Sequence, residues 1–196
     1  LSQNEIDATV DAGIKNADTG VTATFGGVTV SSDQRSLIKA ETYAASVAVS
    51  LSGGTGISVG LAGALAKNEI LGSTQAFIDA SSVNSASTVS LEARNKSVID
   101  AAIAAASAAV SVSGGTGISL AAGAALAKNF IGSEEGGAEA PLAVAAGITG
   151  STVDALGAVS LSSLSEQEIQ AFVAALALSV SVSGGGGGAL AIAAAL

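Results

Sequence analysis

The sequence has no cysteine, histidine, tryptophan or methionine, and only one proline, one tyrosine and four phenylalanines in 196 residues. Without cysteine there is no disulfide framework and no thiolate metal site. Without histidine as well, most nucleophile–base pairs and transition-metal sites are excluded. Charged residues make up 12% of the chain, roughly half the share in ordinary globular domains. The seven Lys and Arg lie far apart against sixteen acids, for a net charge of −9. Phosphate binding needs clustered bases, so nucleic acid is not an expected partner. The chain starts at Leu1 with no basic n-region or cleavage site, so no targeting signal is visible, and both ends read as cut from something longer.

What is present is Ala, Val, Ile and Leu, diluted by 25 Gly and many Ser, with 49% of residues hydrophobic. That hydrophobicity excludes disorder. Ala, Ser, Gly and Val lose little side-chain entropy on ordering and let sheets or helices approach closely. Such a composition suits a regular stacked array better than a deep pocket with varied polar groups.

The chain repeats itself. Ser52-Gly53-Gly54-Thr55-Gly56-Ile57-Ser58 recurs as Ser113-Gly114-Gly115-Thr116-Gly117-Ile118-Ser119, and again as Ser183-Gly184-Gly185-Gly186-Gly187, at spacings of 61 and then 70 residues. Val28-Thr29-Val30, Val89-Ser90-Leu91 and Val159-Ser160-Leu161 keep the same offsets, as do Ile38, Ile99 and Ile169. Leu65-Ala66-Lys67-Asn68 matches Leu126-Ala127-Lys128-Asn129. The organisation is therefore a partial preceding repeat (1–27), repeat 1 (28–88), repeat 2 (89–158) and a truncated repeat 3 (159–196). The nine extra residues of repeat 2 fall in a polar loop insertion, 132–143, which holds Glu134, Glu135, Glu139 and Pro141.

Each repeat has two textures. Short pieces such as Ala76-Phe77-Ile78-Asp79-Ala80 and Thr88-Val89-Ser90-Leu91 alternate apolar and small polar residues at period two, which predicts strands with one buried face. The second texture is an uncharged stretch centred on the glycines. There Val47, Val49, Leu51, Ile57, Val59 and Leu61 alternate with Ser, Ala and Gly, which predicts a hairpin of two strands of about nine residues. The expected fold is mainly β: an elongated β-solenoid of stacked coils with an apolar β-hairpin per repeat. Small-residue-packed helical hairpins on a β-solenoid are the alternative, because 101–109 is a good helix former by propensity. The turns are assigned to Gly53, Gly54, Gly56, Gly114, Gly115, Gly117, Gly184 and Gly185. The packing core is assigned to the branched face: Val47, Val49, Leu51, Ile57, Val59, Leu61, Val110, Val112, Ile118, Leu120, Val180 and Val182. The Ala/Ser/Gly face is left to pack against a neighbouring sheet or subunit.

No catalytic or cofactor-binding residue is assigned, and the protein reads as a non-enzyme. Glu134 and Glu135 could form an acid/base pair, but in a Gly-flanked loop that repeat 1 lacks they read as a solvated acidic run. Lys67-Asn68 and Lys128-Asn129 could meet a phosphate; their repetition favours a polar stop where a strand leaves its sheet, with Asn supporting a turn. Gly-Gly-Thr-Gly resembles a phosphate loop only superficially, since no Gly-Lys-Ser/Thr follows. Asp7, Asp11, Asp18, Asp33, Asp79, Asp100 and Asp154 leave calcium as the one open cofactor, but no calcium-loop motif is present and no metal ligand is assigned. The stretches 42–66, 101–127 and 171–196 are uncharged and long enough to span a bilayer. As hairpins they suit a transmembrane barrel better than helices do. With one Tyr and no Trp to form aromatic girdles, burial within a protein assembly is favoured.

The phrases SVSGGTGISLAAGAALAKN and FIDASSVNSASTVSLEARNKSVIDA resemble the repeats of very large secreted bacterial surface proteins, the filamentous-haemagglutinin-like and leukotoxin-type filamentous adhesins. The resemblance implies an elongated β-solenoid at the cell surface, extracellular, serving adhesion, matrix or filament formation. It brings no site residue with it. The function expected is that of a self-assembling structural filament or surface-fibre segment, partnered by its own copies end to end through strand pairing and apolar burial. Two alternatives remain: an adhesin module that binds a cell-surface ligand through loops such as 132–143, and a membrane-inserting β-hairpin pore-forming segment.

Overall fold

The computed structural model describes residues 1–132 and 142–196. Every regular element among them is a strand. In chain order these are β1 (Ser2–Lys15), β2 (Val21–Ala23), β3 (Val28–Ser52), β4 (Gly56–Asp79), β5 (Ser82–Ser85), β6 (Val89–Ser113), β7 (Thr116–Ile131), β8 (Ala143–Thr149), β9 (Thr152–Ala155), β10 (Val159–Ser183) and β11 (Gly186–Ala195). The fold is mainly β, and the helical alternative does not occur among the described residues.

The strands form three sheets, each built from equivalent strands of successive repeats. One holds β1, β4, β7 and β11, with β8 beside β4; the second holds β10, β6 and β3; the third holds the short β2, β5 and β9. All pairing is parallel. Register follows the repeat: Ile38 pairs with Ile99 and Ile99 with Ile169, while Ser52, Ser113 and Ser183 line up in the same way. Each repeat thus contributes a strand to each of the three sheets, stacked in parallel register on its equivalent in the neighbouring repeat.

The nine-residue difference between repeats is absorbed at one place. β7 pairs with β4 up to Ile131↔Ile70, and β8 pairs from Ala143↔Ser73, so an advance of twelve positions along the sequence matches three along β4. Most of the insertion, with Glu134, Glu135, Glu139 and Pro141, lies outside the described residues.

The expected hairpin is replaced by a different connection. β3 and β4 are 25 and 24 residues long, not nine, and they belong to different sheets. Their backbones bond to neighbouring repeats, and they meet each other only through side chains across a sandwich. The two textures of each repeat are halves of single strands. β6, for example, runs from Val89 to Ser113 without a break, or roughly 80 Å at about 3.3 Å per residue.

Hydrophobic burial holds the half remote from the glycine turns. Val30, Ala76, Ile78, Val83, Val89, Leu91 and Ala93 form one cluster where the short sheet closes the sandwich. Ile38, Ile70 and Ile99 form the next, and Ala64, Ala66, Ile103 and Ala105 lead towards the glycine end. Gly53, Gly54, Gly114, Gly115, Gly184 and Gly185 lie in the links between strands of different sheets, whereas Gly56 opens β4 and Gly117 lies within β7. Stacking dictates glycine here. A Cβ on Gly114 would sit 2.8 Å from the Gly53 carbonyl oxygen, and one on Gly184 would sit 2.7 Å from that of Gly114.

Candidate functional site

Successive residues of a strand face opposite sides, so the inward parity of one half of an unbroken strand fixes the other half. In β6 the hydrophobic half buries Val89, Leu91, Ile99 and Ile103. The same parity carries Ser107, Ala109 and Ser111 into the interior, all buried, and turns Val110 and Val112 outward. In β4, buried Ile70 and Ile78 put Ser58 and Gly60 inside and Ile57, Val59 and Leu61 outside.

This reverses the expected core. Val47, Val49, Leu51, Ile57, Val59, Leu61, Val112, Ile118, Val180 and Val182 are all exposed, with Leu51 77% accessible; Val110 and Leu120 are half-buried. The interior between them is Ser, Ala and Gly. The sheets approach so closely that a Cβ on Gly60 would stand 2.4 Å from the Ala108 carbonyl oxygen, which leaves no room for branched chains. Three serines bridge the gap, while the buried hydroxyls of Ser58, Ser107 and Ser113 make no hydrogen bond. The Ser111 hydroxyl donates to the Gly56 carbonyl at 2.9 Å, that of Ser181 to Gly117 at 2.8 Å, and that of Ser179 to Ser119 at 2.8 Å.

The outer surface divides into two zones along the strands. In the half near the short sheet, charges alternate in sign: Asp33 with Arg35, Glu92 with Arg94, Lys39 with Glu41 and Lys15 with Asp79 form ion pairs two residues apart or across strands. Beyond Glu41 on one face, and before Lys67 on the other, no charged residue occurs up to the glycine turns. The two limits lie opposite each other, since Ala64 and Ala66 pack with Ile103 and Ala105 across the sandwich and Ile103 is in register with Thr42. Three of the five aromatic residues sit at this limit: Tyr43 and Phe172, both well exposed, and half-buried Phe130.

The Lys-Asn pairs are not strand ends. Asn68 lies in the interior of β4 with no exposure. Asn4 donates to its Oδ1 at 2.8 Å, and Asn68 donates to Asn129 at 2.8 Å, forming a ladder through three repeats. Lys67, on the outer face, pairs with Glu69 at 2.8 Å. Further along β4, Thr74 donates to Gln34 of β3 at 2.7 Å, and within β6 Ser97 donates to Asn95 at 2.7 Å.

Among the described residues no three acidic side chains gather as a metal site, and the seven aspartates are dispersed over β1, β3, β4, β6, β9 and a turn. No described helix is long and apolar enough to cross a membrane. The glutamates weighed as an acid/base pair lie outside the described residues. Two surfaces are the candidates for function: the exposed aliphatic zone and the edge strands of the sheets. Comparison of the chain with known protein families, curated proteins and solved structures finds no match.

Proposed function

We propose that this chain is a non-enzymatic structural segment of a parallel β-solenoid, extracellular at a cell surface, that grows by stacking further coils on its ends. The observation that carries this reading is the repeat-matched register, in which each strand lies parallel on its equivalent in the next repeat and the Asn4–Asn68–Asn129 ladder runs through the stack. Val159, Leu161 and Ile169 are in register with Val89, Leu91 and Ile99. The latter three are buried to within 1%, whereas the former are 45–48% exposed. A strand laid over β10 would bury them as β4 and β8 bury their counterparts. β3 and β10 each also present a 25-residue strand at the edge of their sheet, with backbone donors and acceptors ready for a parallel partner. Repeat-matched register makes an added coil a continuation of the same ladders, and the Asn side-chain ladder is the device that favours in-register stacking of identical strands.

The test is negative-stain electron microscopy and sedimentation of the purified chain without detergent, alongside the double variant Leu161→Lys/Ile169→Lys. Stacks or fibres are expected from the parent and are expected to vanish in the variant, whose new charges would be buried by the next coil. A parent that stays a monodisperse monomer at high concentration, or a variant that stacks as well as the parent, sinks the reading.

A further inference from the structure

We infer that the glycine-turn half of the sandwich is a bilayer-inserting wedge, its two outer faces in contact with lipid hydrocarbon. Four observations converge on lipid as the occupant. The zone is aliphatic on both opposite faces, with Val47, Val49 and Leu51 exposed on one and Ile57, Val59 and Leu61 on the other. A second protein copy would cover one face, whereas a bilayer covers both. The height fits as well: eleven uncharged positions separate Glu41 from the turn at Gly53, and eleven separate that turn's end at Thr55 from Lys67. At about 3.3 Å per residue that is roughly 36 Å, enough to cross a hydrocarbon core of about 30 Å.

The boundary is also marked as interfaces are. Tyr43, Phe130 and Phe172 stand where charge resumes, next to Lys39, Glu41, Lys67 and Lys128, in the place of an aromatic belt. Finally, the inside is what lipid exposure demands. A membrane-spanning sheet must satisfy its backbone internally and point apolar chains outward, with small or polar ones within. Here parallel ladders pair the inner strands, and even the turns bond between coils: Gly114 N–H donates to Ser52 at 3.0 Å and Gly184 N–H to Ser113 at 3.2 Å. Ser, Ala and Gly fill the interior, leaving a closed wedge without a lumen.

The inference rests on the stacking reading in one respect: the edge strands of the outermost coils need neighbouring coils to pair their backbones within lipid. The experiment keeps the two apart, because stacking is scored without lipid and insertion is scored at outward positions that no added coil covers. The full chain is mixed with phosphatidylcholine vesicles and floated on a density gradient. Since the chain has no cysteine, single cysteines at Val49, Leu61 and Leu37 can carry an environment-sensitive dye, read with quenchers placed at mid-acyl depth. Co-flotation is expected, with blue-shifted and quenched dye at Val49→Cys and Leu61→Cys. Leu37→Cys, 64% exposed but within the charged half, should show neither. Val49→Asp/Leu61→Asp should lower the floated fraction more than about tenfold, as a carboxylate at membrane depth requires, with an unchanged circular-dichroism spectrum, and no entrapped dye should escape.

Failure of the chain to float overturns the inference even where fibres form. Burial of both labels in lipid-free assemblies without flotation overturns it in favour of lateral packing between copies. Equal quenching at Leu37→Cys overturns the placed boundary, and dye release overturns the closed wedge.

Discussion

Ser111 and Leu51 give the sharpest test of the reversed interior, because intuition about hydrophobic burial ranks them the wrong way round. Ser111 has no exposure, and its hydroxyl donates to Gly56 at 2.9 Å. The slot it fills is narrow: a Cβ on Gly56 would already stand 3.1 Å from its Oγ. Ser111→Val removes that hydrogen bond, worth about 1 kcal/mol, and overpacks the slot at a cost of about 1–3 kcal/mol. The expected destabilisation is therefore about 2–4 kcal/mol. Leu51 keeps 77% of its surface in solvent. Full burial of Leu is worth about 2–3 kcal/mol, so Leu51→Ser should cost only about 0.5 kcal/mol. Urea unfolding followed by far-ultraviolet circular dichroism, at concentrations low enough to suppress stacking, measures both. With a slope of about 2 kcal/mol per molar urea, Ser111→Val should lower the midpoint by about 1–2 M while Leu51→Ser barely moves it. A valine tolerated at 111, or a serine at 51 as damaging as a core truncation, would refute the inside-out arrangement.

Three further outcomes follow from the same geometry. Gly60→Ala puts a methyl 2.4 Å from the Ala108 carbonyl oxygen and should destabilise by about 1–3 kcal/mol in the same unfolding assay, the reverse of the gain an unhindered Gly→Ala change gives. Asn68→Ala breaks two 2.8 Å ladder bonds at once; with water able to reach the half-buried outer members, a loss of about 2–4 kcal/mol is expected. Asn68→Asp buries a carboxyl whose folded-state pKa is raised by desolvation. The folded form then holds a proton that the unfolded chain releases, so this variant should be most stable below about pH 4 and weaken as pH rises past the unfolded value. Unfolding midpoints that rise from pH 4 to pH 7 would contradict the burial of Asn68.

The repeat, its offsets and the mainly β character were legible in the residues, because in-register parallel stacking makes each repeat see its own copy. The offset between Ile38, Ile99 and Ile169 is the pairing register itself. What could not be read from the glycine-rich stretch alone was its inward face. Alternation of Val with Ser distinguishes two faces without saying which is inside, and hydrophobicity argues for the wrong one. The signal that decides it lies further along the same strand. No Gly or Pro interrupts 89–113, so the parity that buries Val89 and Ile99 also buries Ser111. Splitting that run into two pieces loses the phase. The Asn68 ladder was missed for a related reason: the charge of Lys67 suggested an end, while the strand continues to Asp79 with the lysine outside and the asparagine within.

Each repeat is broad and shallow, and this has a mechanical consequence. Each repeat spends 61 or 70 residues to widen its sheets by one strand, about 4.8 Å, while its long strands reach roughly 80 Å across. Pulled along the stacking direction, two adjacent repeats share the load over all 25 paired residues of β3 and β6, besides those of the facing sheet, and resist as a single unit. Pulled from one rim, the same pairs open one after another like a peeled tape. Such a body is strong in tension and weak in peel, and a pull on the glycine rim loads first the bonds between stacked turns, from Gly114 N–H to Ser52 and from Gly115 N–H to Gly54.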